Sequence, residues 1–132
     1  MGYSRPIVQD SGLSRAARNG DTILNPVIVA IAADANATID VSRIGSGVVQ
    51  FTGFTAGRTL TTDTAVNIAA AFPQMDVGDS ISMVVSCVAA FAGTWAAGAG
   101  VTLAGRATTP ASSYSLIYIT RTGAATFTWT VM

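Results

Sequence analysis

The sequence predicts an all-β domain: an antiparallel β-sandwich or jelly roll with one short helix and an extended N-terminal arm. Three observations carry that expectation. The 132 residues include no Lys, Glu or His, so the residues that usually decorate solvent-facing helices are missing, while the strand-favouring Thr, Val and Ile are abundant. Apolar residues recur with a period of two in several segments. Turn signals separate these segments at intervals of about 8 to 12 residues.

A chain of this length makes one domain, and such a domain buries about two-thirds of the surface its unfolded chain exposes. Charged residues make up 11% of it, against about 25% in average soluble proteins. Seven Arg balance seven Asp, so the net charge is zero, and the mean hydropathy is +0.50. Apolar surface with little charge repulsion associates, which predicts an oligomer, a permanent partner, or both. The arginines are spread along the chain without an aromatic-interleaved stripe, so nucleic acid is not an expected partner. The opening MGYSRPIVQDSG lacks the basic-then-apolar pattern of a signal peptide. Cys87 is the single cysteine, which excludes an intrachain disulfide and suggests folding in a reducing cytoplasm.

Residues 1–22 show no sustained period and read as an arm, closed by the turn Asn19-Gly20-Asp21; residues 23–132 form the β domain. Ile23 to Ala32 is β-branched, with Pro26 confining its start to an edge or entry position. ATIDVS then alternates, with Ile39 and Val41 on one face, and predicts a half-buried strand broken by Gly45-Ser46-Gly47. A further strand follows over Val48 to Phe54. In TTDTAVNIAAAFP, the apolar Ala65, Ile68, Ala69 and Phe72 fall at i, i+3, i+4 and i+7. Asp63 or Thr64 can cap the free N–H groups and Pro73 stops the run, so a helix is expected over about 63–72.

MDVGD (Met75 to Asp79) is a turn. In SISMVVSCVAAF, the series Ile81, Met83, Val85, Cys87, Ala89 and Phe91 alternates against Ser80, Ser82, Val84, Ser86, Val88 and Ala90, which predicts a strand. Gly98 and Gly100 turn the chain into a short strand over Val101 to Leu103, and Gly105 turns it again. Tyr114 to Thr120 reads as a strand apolar on both faces. TFTWTV puts Phe127, Trp129 and Val131 on one face, and a hairpin through Arg121-Thr122-Gly123 joins the two. The uncharged run Ser80 to Gly105 is long enough for a membrane helix, but its Ser, Thr and Gly content and its period of two argue for strands and against a membrane partner.

Little in the chain suggests catalysis. Cys87 has no His to activate it and sits in an alternating apolar strand, so a buried inert thiol is expected. Asp10-Ser11-Gly12 matches the tripeptide of aspartic proteases, yet polar Gln9 precedes it and Asp-Ser-Gly is ordinarily a turn. GAGVTLAG lacks the Lys and the following helix of a phosphate loop, and no cluster has metal-ligand spacing. No cofactor or metal is expected. Asn36-Ala37-Thr38 spells a glycosylation acceptor, read as a loop in the absence of a secretory signal.

From Arg58 onward the order of segments carries a resemblance. TLTTDTAVNIAAAFPQMDVGDSISMVVS, GTWAAGAGVTLAG, TTPASSYSLIYITRT and ATFTWTV are similar to the capsid decoration (cement) proteins of tailed phages and related head-fibre modules, over a little more than half the chain. The shared pieces are an A-x-N-I-x-A-x-x-P helix, a V-G-D-S turn, a G-x-G-V-T-L-x-G turn and strand, and a closing strand pair. Ser86-Cys87 stands where the pattern has an Asn near the end of the post-turn strand.

The resemblance implies a β-sandwich or jelly-roll module, present as an oligomer on the outer capsid surface, that clamps neighbouring major capsid subunits. A homotrimer is expected, with a dimer as the alternative, made in the host bacterial cytoplasm and located in the virion. Within the arm, Arg5, Arg15 and Arg18 are the expected capsid contacts, because guanidinium groups make directional bonds to carboxylates and carbonyls. The rival expectation is a fibre or receptor-binding module that stacks glycans on Trp95, Tyr114 or Tyr118.

Overall fold

Among the described residues, ten strands and two short helices form two sheets around one core. The computed structural model describes residues 27–132. The arm expected over 1–22, with Arg5, Arg15, Arg18 and Asp10, lies outside the described residues.

The elements in chain order are β1 (Val27–Ile31), β2 (Ala37–Ile39), α1 (Val41–Ser46), β3 (Gly47–Phe51), β4 (Arg58–Thr62) and α2 (Ala65–Ala71). They continue with β5 (Ser80–Cys87), β6 (Gly93–Ala96), β7 (Val101–Gly105), β8 (Thr108–Thr109), β9 (Ser113–Gly123) and β10 (Thr126–Val131). The six-stranded sheet has the order β1-β3-β5-β9-β10-β7 and the four-stranded sheet the order β2-β4-β6-β8.

The β-rich expectation holds, but the antiparallel wiring is confined to part of the molecule. Strands β1, β3 and β5 pair in parallel, and so do β2, β4 and β6. The chain passes four times from the six-stranded sheet to the four-stranded one, and the first three passes are stacked in parallel, each on the last. Parallel neighbours require a long return connection, which here runs through the other sheet and, twice, through a short helix. Antiparallel pairing begins with β8, which pairs with β6, and continues with β9, which lies between β5 and β10. The β7–β10 pair is again parallel.

Register carries the core across the sheets. Val29, Val49 and Val85 lie side by side, as do Ile31, Phe51 and Cys87. Ala37, Leu60 and Trp95 face them from the second sheet. Trp95 and Trp129 meet across the core with ring centroids 5.7 Å apart. Trp129 is fully buried, and its Nε1 has no hydrogen-bond partner among the described residues. Leaving that donor unpaired costs about 1–3 kcal/mol, less than the about 4–6 kcal/mol gained by burying 150–250 Å² of aromatic surface, so burial decides.

The strand expected over ATIDVS ends at Ile39, and α1 begins two residues later. Asp40 caps it, accepting from the Arg43 N–H at 3.1 Å, and Gly47 closes it at φ +87° with its N–H bonded to the Ile44 carbonyl. Only a residue tolerant of the left-handed region fits that closing position without strain. Ile39 and Val41 alternate too briefly to impose a strand. Ile44 is buried instead and fixes the helix to the core.

The expected helix over 63–72 is present as α2. Thr64 accepts from the Asn67 N–H, and Ala65 and Ile68 form the buried face. The final turn differs from the expectation: β9 runs through Gly123, and residues 124 and 125 make the connection. A register shift follows, where Phe127 pairs with Arg121.

Asp63 fastens successive passes to one another. Its carboxylate is buried between the starts of the two helices, accepting from the Val41 N–H at 3.1 Å, the Thr64 N–H at 2.7 Å and the Asn67 side-chain amide at 2.8 Å. Its own N–H donates to the Ile39 carbonyl. On the other side, Gly98 donates to the Thr62 hydroxyl, and a Cβ at Gly98 would lie 2.6 Å from the Thr62 carbonyl oxygen. Replacing Asp63 by Ala strands three donors in a poorly hydrated place. The expected loss is about 2–4 kcal/mol in urea unfolding, with Asp63→Asn intermediate because its oxygen still accepts.

Candidate interaction surface

Side chains on alternate positions of the six-stranded sheet point away from the core, and register aligns them in rows. Ile28, Val48, Val84 and Leu116 form one continuous row across β1, β3, β5 and β9. Tyr114 and Tyr118 flank Leu116 on the same face of β9. The remaining outward positions in register are Ala, Gln, Ser and Thr, as in the hydroxyl pair Ser80 and Thr120, whose oxygens are 2.6 Å apart. Among the described residues, no charged residue occupies an outward strand position of this face, and Arg106 follows β7 at its edge with its N–H bonded to the Val131 carbonyl.

The charges have other places. Arg121 faces inward from β9, its guanidinium 5.9 Å from the Phe127 ring centroid and bonded to the Met75 carbonyl at 2.7 Å. Arg43 bonds the Thr38 carbonyl beside α1. Asp34 and Arg58 form an ion pair at 2.8 Å at the start of β4. Asp34 also accepts from both the hydroxyl and the backbone N–H of Thr55. These bonds, with the Thr55 hydroxyl foremost, pull the Asp34 carboxyl from 3.8 down to about 2. The Ser42 hydroxyl likewise holds Asp40 below its usual range, assisted by the Arg43 backbone N–H.

The residues singled out in the sequence fall into different environments. Cys87 is buried, and burial pushes its thiol up, the condition of an inert core cysteine. Trp95 does not offer a stacking platform: only 6% of it is exposed, and its Nε1 donates to the Thr109 hydroxyl at 3.1 Å. The same Thr109 hydroxyl donates to Ser115, so a buried polar link runs from β6 through β8 to β9. Tyr114 and Tyr118 are exposed, as a contact role requires. Strand β9 is therefore apolar on both faces, as expected, and among the described residues only the inner face is covered. The strand run Ser80–Gly105 contains β5, β6 and β7, and no helix among the described residues is long and apolar enough to cross a membrane.

Two outcomes follow from these environments. Asp34 is held ionised in the fold, so its stabilising share is complete above about pH 4 and is lost as pH falls from 3.8 through about 2. Asp34→Asn is expected to lower stability at neutral pH and to flatten the acid limb of the urea-unfolding curve over that window, with Thr55→Val doing much the same. Cys87 is expected to react with an aromatic disulfide reagent at least about 100-fold more slowly in the native protein than in denaturant, the rate following unfolding.

No protein-family model, no curated protein and no solved structure matches this chain.

Proposed function

We propose that this chain is a structural virion protein that binds the outside of a tailed-phage capsid as an oligomer and stabilises contacts between major capsid subunits. One observation carries the reading. The segments whose order resembles cement proteins, from Arg58 to Val131, become consecutive parts of one body: β4, α2, the turn before β5, then β7, β9 and β10. The two sheets on either side of the shared core are read as a sandwich, with the parallel passes as its N-terminal part. The uncharged outer face supports the same reading, since permanent association suits a surface of this kind better than free solution.

The second reading, a head-fibre or glycan-binding module, is favoured by the exposure of Tyr114 and Tyr118. It no longer includes Trp95.

Co-sedimentation of the purified full chain with undecorated capsids tests the proposal. Binding is expected to saturate at a fixed number of copies per capsid. Deleting residues 1–22, or replacing Arg5, Arg15 and Arg18 together by Ala, is expected to weaken it by about tenfold or more, about 1.4 kcal/mol. Failure to bind capsids, combined with binding on a glycan array that Tyr114→Ala abolishes, would favour the second reading. Full capsid binding by the deletion variant would sink the arm assignment alone.

A further inference from the structure

The outer face of the six-stranded sheet is exposed where a lone molecule has least reason to expose it. Ile28 and Tyr114 show 63% and 66% of their surface and Tyr118 shows 40%. They belong to the same face as the Val48, Val84 and Leu116 row. Six strands spaced about 4.8 Å apart, each contributing about six residues at about 3.3 Å, make a face of about 29 by 20 Å. That is near 600 Å² in projection, of the order of the about 800 Å² each partner contributes to a standard interface.

Its chemistry is self-complementary. A surface with charge of one sign cannot face its own copy without bringing like charges together, and the outward strand positions of this face carry no charge among the described residues. Hydroxyl groups both donate and accept, so the Ser, Thr and Tyr side chains bordering the apolar row can bond to the same groups on a second copy. Sheets stacked in this way bury their facing side chains in a layer about 10 Å thick. A partner chosen by charge would find nothing here to read.

We infer that this face is the contact between two copies of the chain, packed sheet against sheet about a two-fold axis lying in the plane between them. The inference rests on the oligomeric part of the virion reading and sharpens it. The same face on both partners closes as a pair, whereas a three-fold ring joins two different surfaces. The parallel row is the centre of the contact, and the tyrosines of β9 lie beside it.

The test is the molar mass of the full chain by light scattering on a sizing column at micromolar concentration. Two chains of 13.4 kDa are expected. Tyr118→Arg and, separately, Val84→Arg are expected to weaken the pair by about 100-fold or more, giving one-chain mass, because each puts a charge in the contact opposite its own copy. Val66→Arg, on the exposed side of α2, is expected to leave the pair intact. Circular dichroism matching the parent shows that a variant is folded; should Val84→Arg fail that check, the exposed Tyr118 position carries the test.

A parent chain of one-chain or three-chain mass overturns the inference, as does a pair that survives Tyr118→Arg. A chain that is single until residues 1–22 are removed and pairs only then also overturns it, since that segment would be the natural cover. Capsid binding by a single chain would leave the virion reading standing while this inference fails. A confirmed pair without capsid binding would do the reverse.

Discussion

The carboxylate of Asp63 is the constraint on which the stacked passes depend. A helix leaves its first N–H groups without internal partners, and α1 and α2 span only six and seven residues, too few to hold themselves together. One buried carboxylate answers donors at the beginning of both helices. The positive ends of the two helix dipoles favour the negative charge there. Because the Asp63 backbone also bonds to Ile39 and the neighbouring Thr62 hydroxyl receives Gly98, the three passes meet at this one level. Loss of the carboxylate would release both helix starts at once, which is why a single side chain fixes how one pass sits upon the next.

Several elements were legible because their side-chain pattern is simple. Strand β10 alternates between apolar and hydroxyl residues, β5 does so except at the outward Val84, and burial follows that alternation. The helix α2 has its apolar stripe, its Thr64 cap and its Pro73 stop in order. Strands β4 and β8 escaped because their inward positions include Thr62 and Thr109, buried threonines whose hydroxyls are bonded internally. A search for apolar periodicity passes over such residues. The parallel wiring was hidden for a different reason: a strand's preference does not name its neighbour. One signal did exist. Thr38-Ile39-Asp40 and Thr61-Thr62-Asp63 both precede a short helix, and they lie in matching register in the second sheet.

The candidate surface was legible only in part. The outward tyrosines of β9 stood out as exposed-contact residues, but Trp95 did not reveal in sequence that it would be inside, since a Gly-flanked aromatic fits either place. The absence of charge from one face is a property of register, invisible until β1, β3, β5, β9 and β10 are set side by side. Among the described residues, the charges at helix starts, at loop ends and in the Asp34–Arg58 pair leave the outward strand positions of that face without any. Charge thus does structural work at the rim of the fold, and the sheet face is left to apolar and hydroxyl chemistry.

The stacked passes also give the fold a direction of growth. Among the described residues, β1 and β2 are edge strands of their two sheets, each bonded to a single neighbouring strand, whereas β9 and β8 are antiparallel to β5 and β6 and end the run of parallel passes. In structures built of stacked units, each unit answers mainly to its nearest neighbours. Insertion or loss of a whole pass at the β1–β2 edge would therefore alter one pairing in each sheet and leave the rest in register. On that pattern a parallel pass could be added or lost at the β1–β2 edge, while at the other side the antiparallel β9 and β8 break that repeat.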